Sequence, residues 1–189
     1  MSKETFPHLE ALRDLMRSKH IDAVIISGTD PHQSEYPSEH WKFRDYVSGF
    51  TGSNGTAVVT LDDAGLWTDS RYFLQAAEQL EGSGFTLHKE NIPGEPTVLE
   101  WLGEVLDEDA VVGVDGRLFS LIEANRIEMF CAQNGFMFAP DFRAAEAIWT
   151  DRPARPMNPA FVHDEALAGE DVNSKISRVV DALDAADAD

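Results

Sequence analysis

Three places in this 189-residue sequence gather the side-chain types that chemistry needs. The first runs from Asp30 through Pro31, His32, Gln33, Ser34, Glu35, Tyr36, Pro37, Ser38 and Glu39 to His40. Two histidines and three carboxylates within eleven residues raise the question of a metal centre. The spacing matches no zinc pattern, however, and Pro31 and Pro37 forbid the helix that would align ligands on one face. A loop fixed by its own side-chain hydrogen bonds is the better reading. The second place is Gly49-Phe50-Thr51-Gly52-Ser53-Asn54-Gly55, with a glycine at every third position. Such spacing lets a backbone turn tightly and approach a neighbour closely. No Lys-Ser/Thr follows it, so it is not a phosphate loop, and no Gly-x-Ser-x-Gly elbow is present for a serine nucleophile. Tight turns feeding a strand account for it. The third is Arg71, in Trp67-Thr68-Asp69-Ser70-Arg71-Tyr72. Placed in the first turn of an expected helix, its cation is opposed by the helix dipole. Either an ion pair with Asp69 or a neighbour compensates, or the side chain reaches for an anionic ligand.

The elements that must position these residues follow from hydrophobic spacing. Phe6, Leu9, Leu12 and Met16 mark a first helix, with Thr5 and Pro7 suited to its start. Ala23 to Ile26 reads as a buried strand stopped by Ser27-Gly28. Residues 28 to 54 are too long for a plain connection, and Ser38 to Tyr46 has room for a short helix. Gly55 to Thr60 and Ala64 to Asp69 form an expected antiparallel hairpin about Asp62-Asp63. Asp69 or Ser70 is placed to cap a helix whose apolar face is Tyr72, Phe73, Ala76, Ala77 and Leu80, closed by Gly82. A strand at Phe85–His88, a helix at Thr97–Leu106 and a strand at Val111–Val114 come next. Ser120 and Glu123 make a capping box for a helix ending at Asn134-Gly135, and Phe136–Phe138 is the last strand. Helices alternate with strands around one inserted hairpin. The expected fold class is therefore α/β, a mixed sheet flanked by helices in an α/β sandwich.

Composition bounds the remaining possibilities. With 43% hydrophobic and 26% charged residues the chain is globular, and no apolar run approaches the ~20 residues of a membrane span. Met1 to Thr5 lead into a polar-faced helix, not an apolar signal core. A single cysteine, Cys131, excludes an internal disulfide and fits a cytoplasmic setting. It lies among Ile127, Phe130 and Phe136, which favours a buried small hydrophobe over a reactive thiol. The net charge of −19 argues against nucleic acid and anionic membrane as partners.

Near Asp151-Arg152-Pro153-Ala154-Arg155-Pro156 and Pro159 the composition turns proline-rich, which reads as a stiff linker. Val172, Ile176, Val179, Val180 and Leu183 beyond it repeat as an amphipathic stripe. The expected organisation is a first domain over residues 1–159, then linker and the first helix of a second domain over residues 160–189.

Four stretches, taken in order, resemble the aminopeptidase P family of the creatinase/prolidase superfamily. They are Asp30 to Tyr36, Tyr46 to Ala57, Leu66 to Ala77 and Ile148 to Pro156. The resemblance implies a creatinase N-terminal domain-like fold, lying before a "pita-bread" catalytic domain that this sequence does not include. It implies a parent enzyme that removes an amino-terminal residue preceding proline, using two divalent metal ions, usually manganese, held outside this stretch. The fragment itself is then expected to bind no metal or cofactor and to be inactive. The first domain in such enzymes helps form a homodimer and narrows the substrate entrance. The family's substrate-directed arginine matches Arg71, and Tyr36 and His32 are further candidates for contact with the peptide. Some members of the superfamily have lost catalysis and bind other proteins, which is the alternative expectation.

Overall fold

A computed structural model of the chain describes residues 5–188, and side chains from residue 7 onward. The expectations placed on Met1 to Thr5 and on the Phe6 side chain lie outside that set. Two compact units are present, residues 1–156 and residues 157–189.

The first unit is built on a six-stranded sheet: β1 (Ala23–Ile26), β2 (Thr56–Thr60), β3 (Ala64–Thr68), β4 (Thr86–Lys89), β5 (Val111–Val114) and β6 (Met137–Ala139), in the order β4-β3-β2-β1-β5-β6. β2 is antiparallel to both β1 and β3, while β3–β4, β1–β5 and β5–β6 are parallel. Five strands thus share one direction and β2 alone opposes them. This is the mixed α/β sheet that the alternation of elements around one hairpin requires.

Both sheet faces are covered, so the central strands are apolar at every position and not only at alternate ones. Val24, Ile26, Ala57, Val59 and Leu66 point to one face. There they meet Leu9, Leu12 and Met16 of α1 (Thr5–Lys19), Phe43 and Val47 of α2 (Phe43–Ser48), Ala76 of α3 (Phe73–Gln79) and the alanines of a later helix. Ala23, Ile25, Val58, Trp67, Val112 and Val114 point to the other. That side is closed by Leu102 of α4 (Val98–Val105) and by Ile127 and Cys131 of α5 (Leu121–Gln133). The Trp67 ring lies over Gly65, where an added Cβ would stand 2.5 Å from the indole, and stacks on His88 at 4.2 Å. Only glycine leaves room for that packing.

Caps fix the helix starts on the second face. Ser120 with Glu123 forms the expected capping box for α5, and Thr97 with Glu100 forms an equivalent one for α4. Asn134 ends α5, and Gly135 takes φ +75°, a left-handed value that glycine adopts without strain.

Several expectations need correction. Ser38 to Tyr46 is not one helix but a 3-10 turn, Glu39–Trp41, followed by α2. The third helix begins at Phe73 and is capped by neither Asp69 nor Ser70. Its N-cap is Tyr72, with no side-chain cap bond. It ends at Gln79, short of Gly82, and Ala77 is exposed. Two strands shift by one residue, to Thr86–Lys89 and Met137–Ala139, because their ends are set by pairing with β3 and β5. Two short helices, α6 (Ala144–Ile148) and α7 (Glu165–Ala168), are too brief to show periodicity. Ala144 and Ala145 of α6 are buried against the first face.

In the second unit, α8 (Val172–Ala185) is capped by Asp171, whose carboxylate accepts from the Asn173 and Ser174 N–H groups. Its stripe of Val172, Ile176, Val179, Val180 and Leu183 is exposed.

Candidate functional site

Because β2 alone runs backwards, the carboxyl ends of β1 and β3 and the start of β2 meet at one end of the sheet. Open α/β sheets bind ligands outside the carboxyl ends of their strands, where loops diverge. A cleft of about 270 Å³ lies there, with Glu35, Tyr36, Arg44, Ser53, Tyr72 and Gln75 in its walls.

The loop that follows β1 is held by its own side chains. Asp30 is 8% exposed, and its carboxylate accepts from the N–H groups of His32 (2.9 Å) and Ser34 (3.1 Å). Burial pushes the Asp30 carboxyl up, but those donors outweigh it and hold it below its ordinary value. The stretch that suggested a metal centre is thus a turn stabilised by a carboxylate. Among the described residues, no three His, Cys, Asp or Glu side chains gather where they would hold a metal ion.

The glycine-spaced loop is organised by a residue that spacing and residue type did not single out. Arg44, on α2, is buried with its guanidinium over the Phe50 ring at 5.1 Å. It donates to the Gly55 carbonyl at 3.0 Å, to the Gly52 carbonyl, and to Asp45 at 2.8 Å. Its Nη1 lies so close to Gly28 that a Cβ there would collide with it. The glycine at 28 thus makes room for an arginine, while a Cβ at Gly55 would crowd the Trp67 carbonyl at 2.9 Å. The signal available in the sequence was a cation beside Phe43 and Val47, an apolar pair four residues apart on one helix face.

Arg71 stands before α3 and not in its first turn, so the dipole argument does not apply to it. Its backbone N–H donates to Asp69 Oδ1 at 2.9 Å, and its Nη2 donates to Asp69 Oδ2 at 2.8 Å. The Asp69 carboxylate is held well below the usual range by those Arg71 hydrogen bonds, with Asn54 Nδ2 adding a bond at 2.7 Å against the effect of burial. The ion pair that the sequence left as one of two alternatives is therefore present. Arg71 still has 59% of its side chain exposed, and its guanidinium lies 5.3 Å over the Tyr72 ring. Tyr72 in turn hydrogen-bonds Ser53 at 2.7 Å, which links this segment to the glycine loop.

The structure therefore brings Tyr36 into the cleft and sets Arg71 against its Tyr72 wall. His32 is exposed and does not line it. Tyr36 is 79% exposed.

Sheet order, helices on both faces and a strand-end cleft define a mixed α/β sandwich domain. Its family is established by comparison: the chain belongs to the Creatinase/Prolidase N-terminal domain family, whose model matches residues 8–147. It is 45% identical over 159 residues to Aminopeptidase P2 of Arabidopsis thaliana, covering 82% of this chain and 22% of that protein. It is 37% identical over 178 residues to a probable Xaa-Pro aminopeptidase P of Coprinopsis cinerea, covering 93% and 28% respectively. Among solved structures it is similar to the X-prolyl aminopeptidase of Caenorhabditis elegans, described as a cytosolic enzyme with a di-nuclear active site. That match has a TM-score of 0.82 and 30% identity, over 97% of this chain and 31% of the other. The N-terminal domain of a metallopeptidase from Corynebacterium diphtheriae shares the fold at a TM-score of 0.52 and 22% identity. The chain thus spans less than a third of the length of the aminopeptidases it matches.

Proposed function

We propose that this chain serves as the non-catalytic N-terminal domain of a metal-dependent Xaa-Pro aminopeptidase that removes an N-terminal residue preceding proline. The supporting observation is the match at 45% identity, confined to 22% of a protein named as an aminopeptidase P. On this reading residues 1–159 are the domain and residues 160–189 open a second one. The two divalent ions, manganese in our reading, belong to the catalytic domain. The described residues offer no cluster that fits them, so no hydrolytic step is assigned to this chain. Its part is to shape the substrate entrance and to contribute to a homodimer in the cytoplasm.

Arg71, with Tyr36 and more remotely His32, is the part of the domain that meets the peptide. The Xaa-Pro amide lacks an N–H, so recognition must use the peptide's ends and carbonyls, for which an exposed guanidinium is suited. In the full-length enzyme Arg71→Ala should lower kcat/KM on an Xaa-Pro peptide roughly 10- to 150-fold, with Arg71→Lys intermediate. The melting temperature of the isolated chain should not change. Unaltered kinetics in a folded full-length variant would remove Arg71 from the substrate site. Turnover of an Xaa-Pro peptide by the isolated chain, tracking it through repurification, would overturn the non-catalytic assignment.

A further inference from the structure

A second charged feature lies apart from the cleft, around Trp41. This indole ends the 3-10 turn Glu39–Trp41, and three guanidiniums surround it. The central carbons of Arg155, Arg152 and Arg117 lie 5.1, 5.2 and 5.9 Å from its ring centroid. Arg117 is neutralised, by Asp115 at 2.6 Å and Glu146 at 2.8 Å. Arg152 and Arg155 form no ion pair among the described residues. That is unexpected in a chain with 34 acidic and 15 basic side chains, where a carboxylate partner is rarely far away.

The two unpaired arginines are nonetheless held in place. Arg152 Nε donates to the His40 carbonyl at 2.7 Å, His40 Nδ1 lies 2.6 Å from the Pro153 carbonyl, and Arg155 Nε reaches His40 Nε2 at 3.4 Å. Each bond uses an Nε or a backbone group, which leaves the terminal nitrogens of both forks unclaimed among the described residues. Burial lowers the affinity of Arg152 for its proton; the nearby carboxylates of Glu146 and Asp115 oppose that shift, while Arg117 and Arg155 add to it. Two arranged forks whose terminal donors are free suit an oxyanion.

We propose that the Trp41 face, through Arg152 and Arg155, binds a small multivalent oxyanion of the phosphate or polycarboxylate kind. Size follows from the crevice beneath. Ile26, Leu118, Phe142, Trp41 and Arg152 are among the residues that enclose only about 20 Å³ there. That is room for about one water, so the ligand lies on the guanidiniums and buries no apolar tail. A nucleic acid backbone is disfavoured by the net charge of −19 over the whole chain.

The test is titration of the chain with inorganic phosphate and, separately, citrate, at an ionic strength held constant with chloride. Binding is read by calorimetry and by tryptophan fluorescence, since Trp41 and Trp149 both lie within reach of Arg152. Saturable one-to-one binding of either anion is expected, and which one binds separates the phosphate source from the carboxylate source. R152Q/R155Q should weaken it at least roughly tenfold. R155Q alone alters an exposed side chain, keeps the fold by circular dichroism and should weaken binding measurably. Heat and quenching that chloride reproduces, or an affinity unchanged in R155Q and R152Q/R155Q, would overturn the assignment.

Discussion

Replacing Arg44 by methionine tests whether the cleft is held by one buried cation. Methionine keeps the length and apolar volume of the stem and removes every donor. In the native chain the side chain is 3% exposed beside an Asp45 side chain that is 16% exposed. The substitution strands the Asp45 carboxylate and leaves the Gly52 and Gly55 carbonyls without their arginine donor. Removing one partner of a buried, hydrogen-bonded pair costs ~3–5 kcal/mol, against a total stability of about 5–15 kcal/mol for a domain. At roughly 2–4 °C per kcal/mol for a domain of this size, the melting temperature should fall by about 6–20 °C. Urea denaturation and a thermal melt by circular dichroism measure both quantities. A pH dependence accompanies the loss. Burial already raises the Asp45 pKa against the pull of Arg44, and without Arg44 it rises further. The folded variant then binds a proton more readily than the unfolded chain above the ordinary value of 3.8, so its stability declines as pH rises through that window. The penalty should be larger at neutral pH than in mild acid, and Asp45→Asn in the same chain should recover part of it. A loss below ~1 kcal/mol, or a penalty independent of pH, would refute the reasoning.

Two further outcomes follow from buried groups. Burial pushes the Cys131 thiol up to about 11, so in the native chain it should react with a thiol reagent far more slowly than in denaturant, as timed by absorbance. His88 has its pKa lowered by burial against Trp67, with Glu95 pulling the other way. The unfolded chain then binds more protons below the ordinary value of 6.5, so stability is lost as pH falls through that value, and His88→Phe should flatten the slope seen in denaturant melts.

The sheet was legible because burial on both faces leaves strands as unbroken apolar runs. Ala23 to Ile26 and Val111 to Val114 carry that signal without help from neighbours. The hairpin and the Ser120 capping box were legible because turns and caps are local chemistry. The start of α3 was not, for a reason that lies in Asp69. An aspartate three residues before an amphipathic stripe looks like an N-cap. Here its oxygens are already taken by the backbone and side chain of Arg71 and by Asn54, so the helix begins later and uncapped. Arg44 was missed for the opposite reason. Its partners are carbonyls eight and eleven residues away, and no spacing rule marks an arginine for burial against glycines that have not yet been placed.

Asp69 also determines what Arg71 has left to offer a ligand. The pair is exposed enough to be screened by water and salt, so its partners exchange readily and contribute little to holding the fold. Its geometry is nonetheless restrictive. Nε and Nη2 both face Asp69, which leaves Nη1 as the part of the fork without a partner among the described residues. Asn54 holds Asp69 from the glycine loop, and Tyr72 lies under the guanidinium and bonds Ser53 of the same loop. The arginine is thus oriented from two sides by a loop that Arg44 organises from within. An anionic or carbonyl group of a ligand would then meet a guanidinium whose direction is set and whose charge is partly balanced. Such an arrangement favours orientation of the ligand over tight binding, which suits the entrance-shaping part proposed above for this domain.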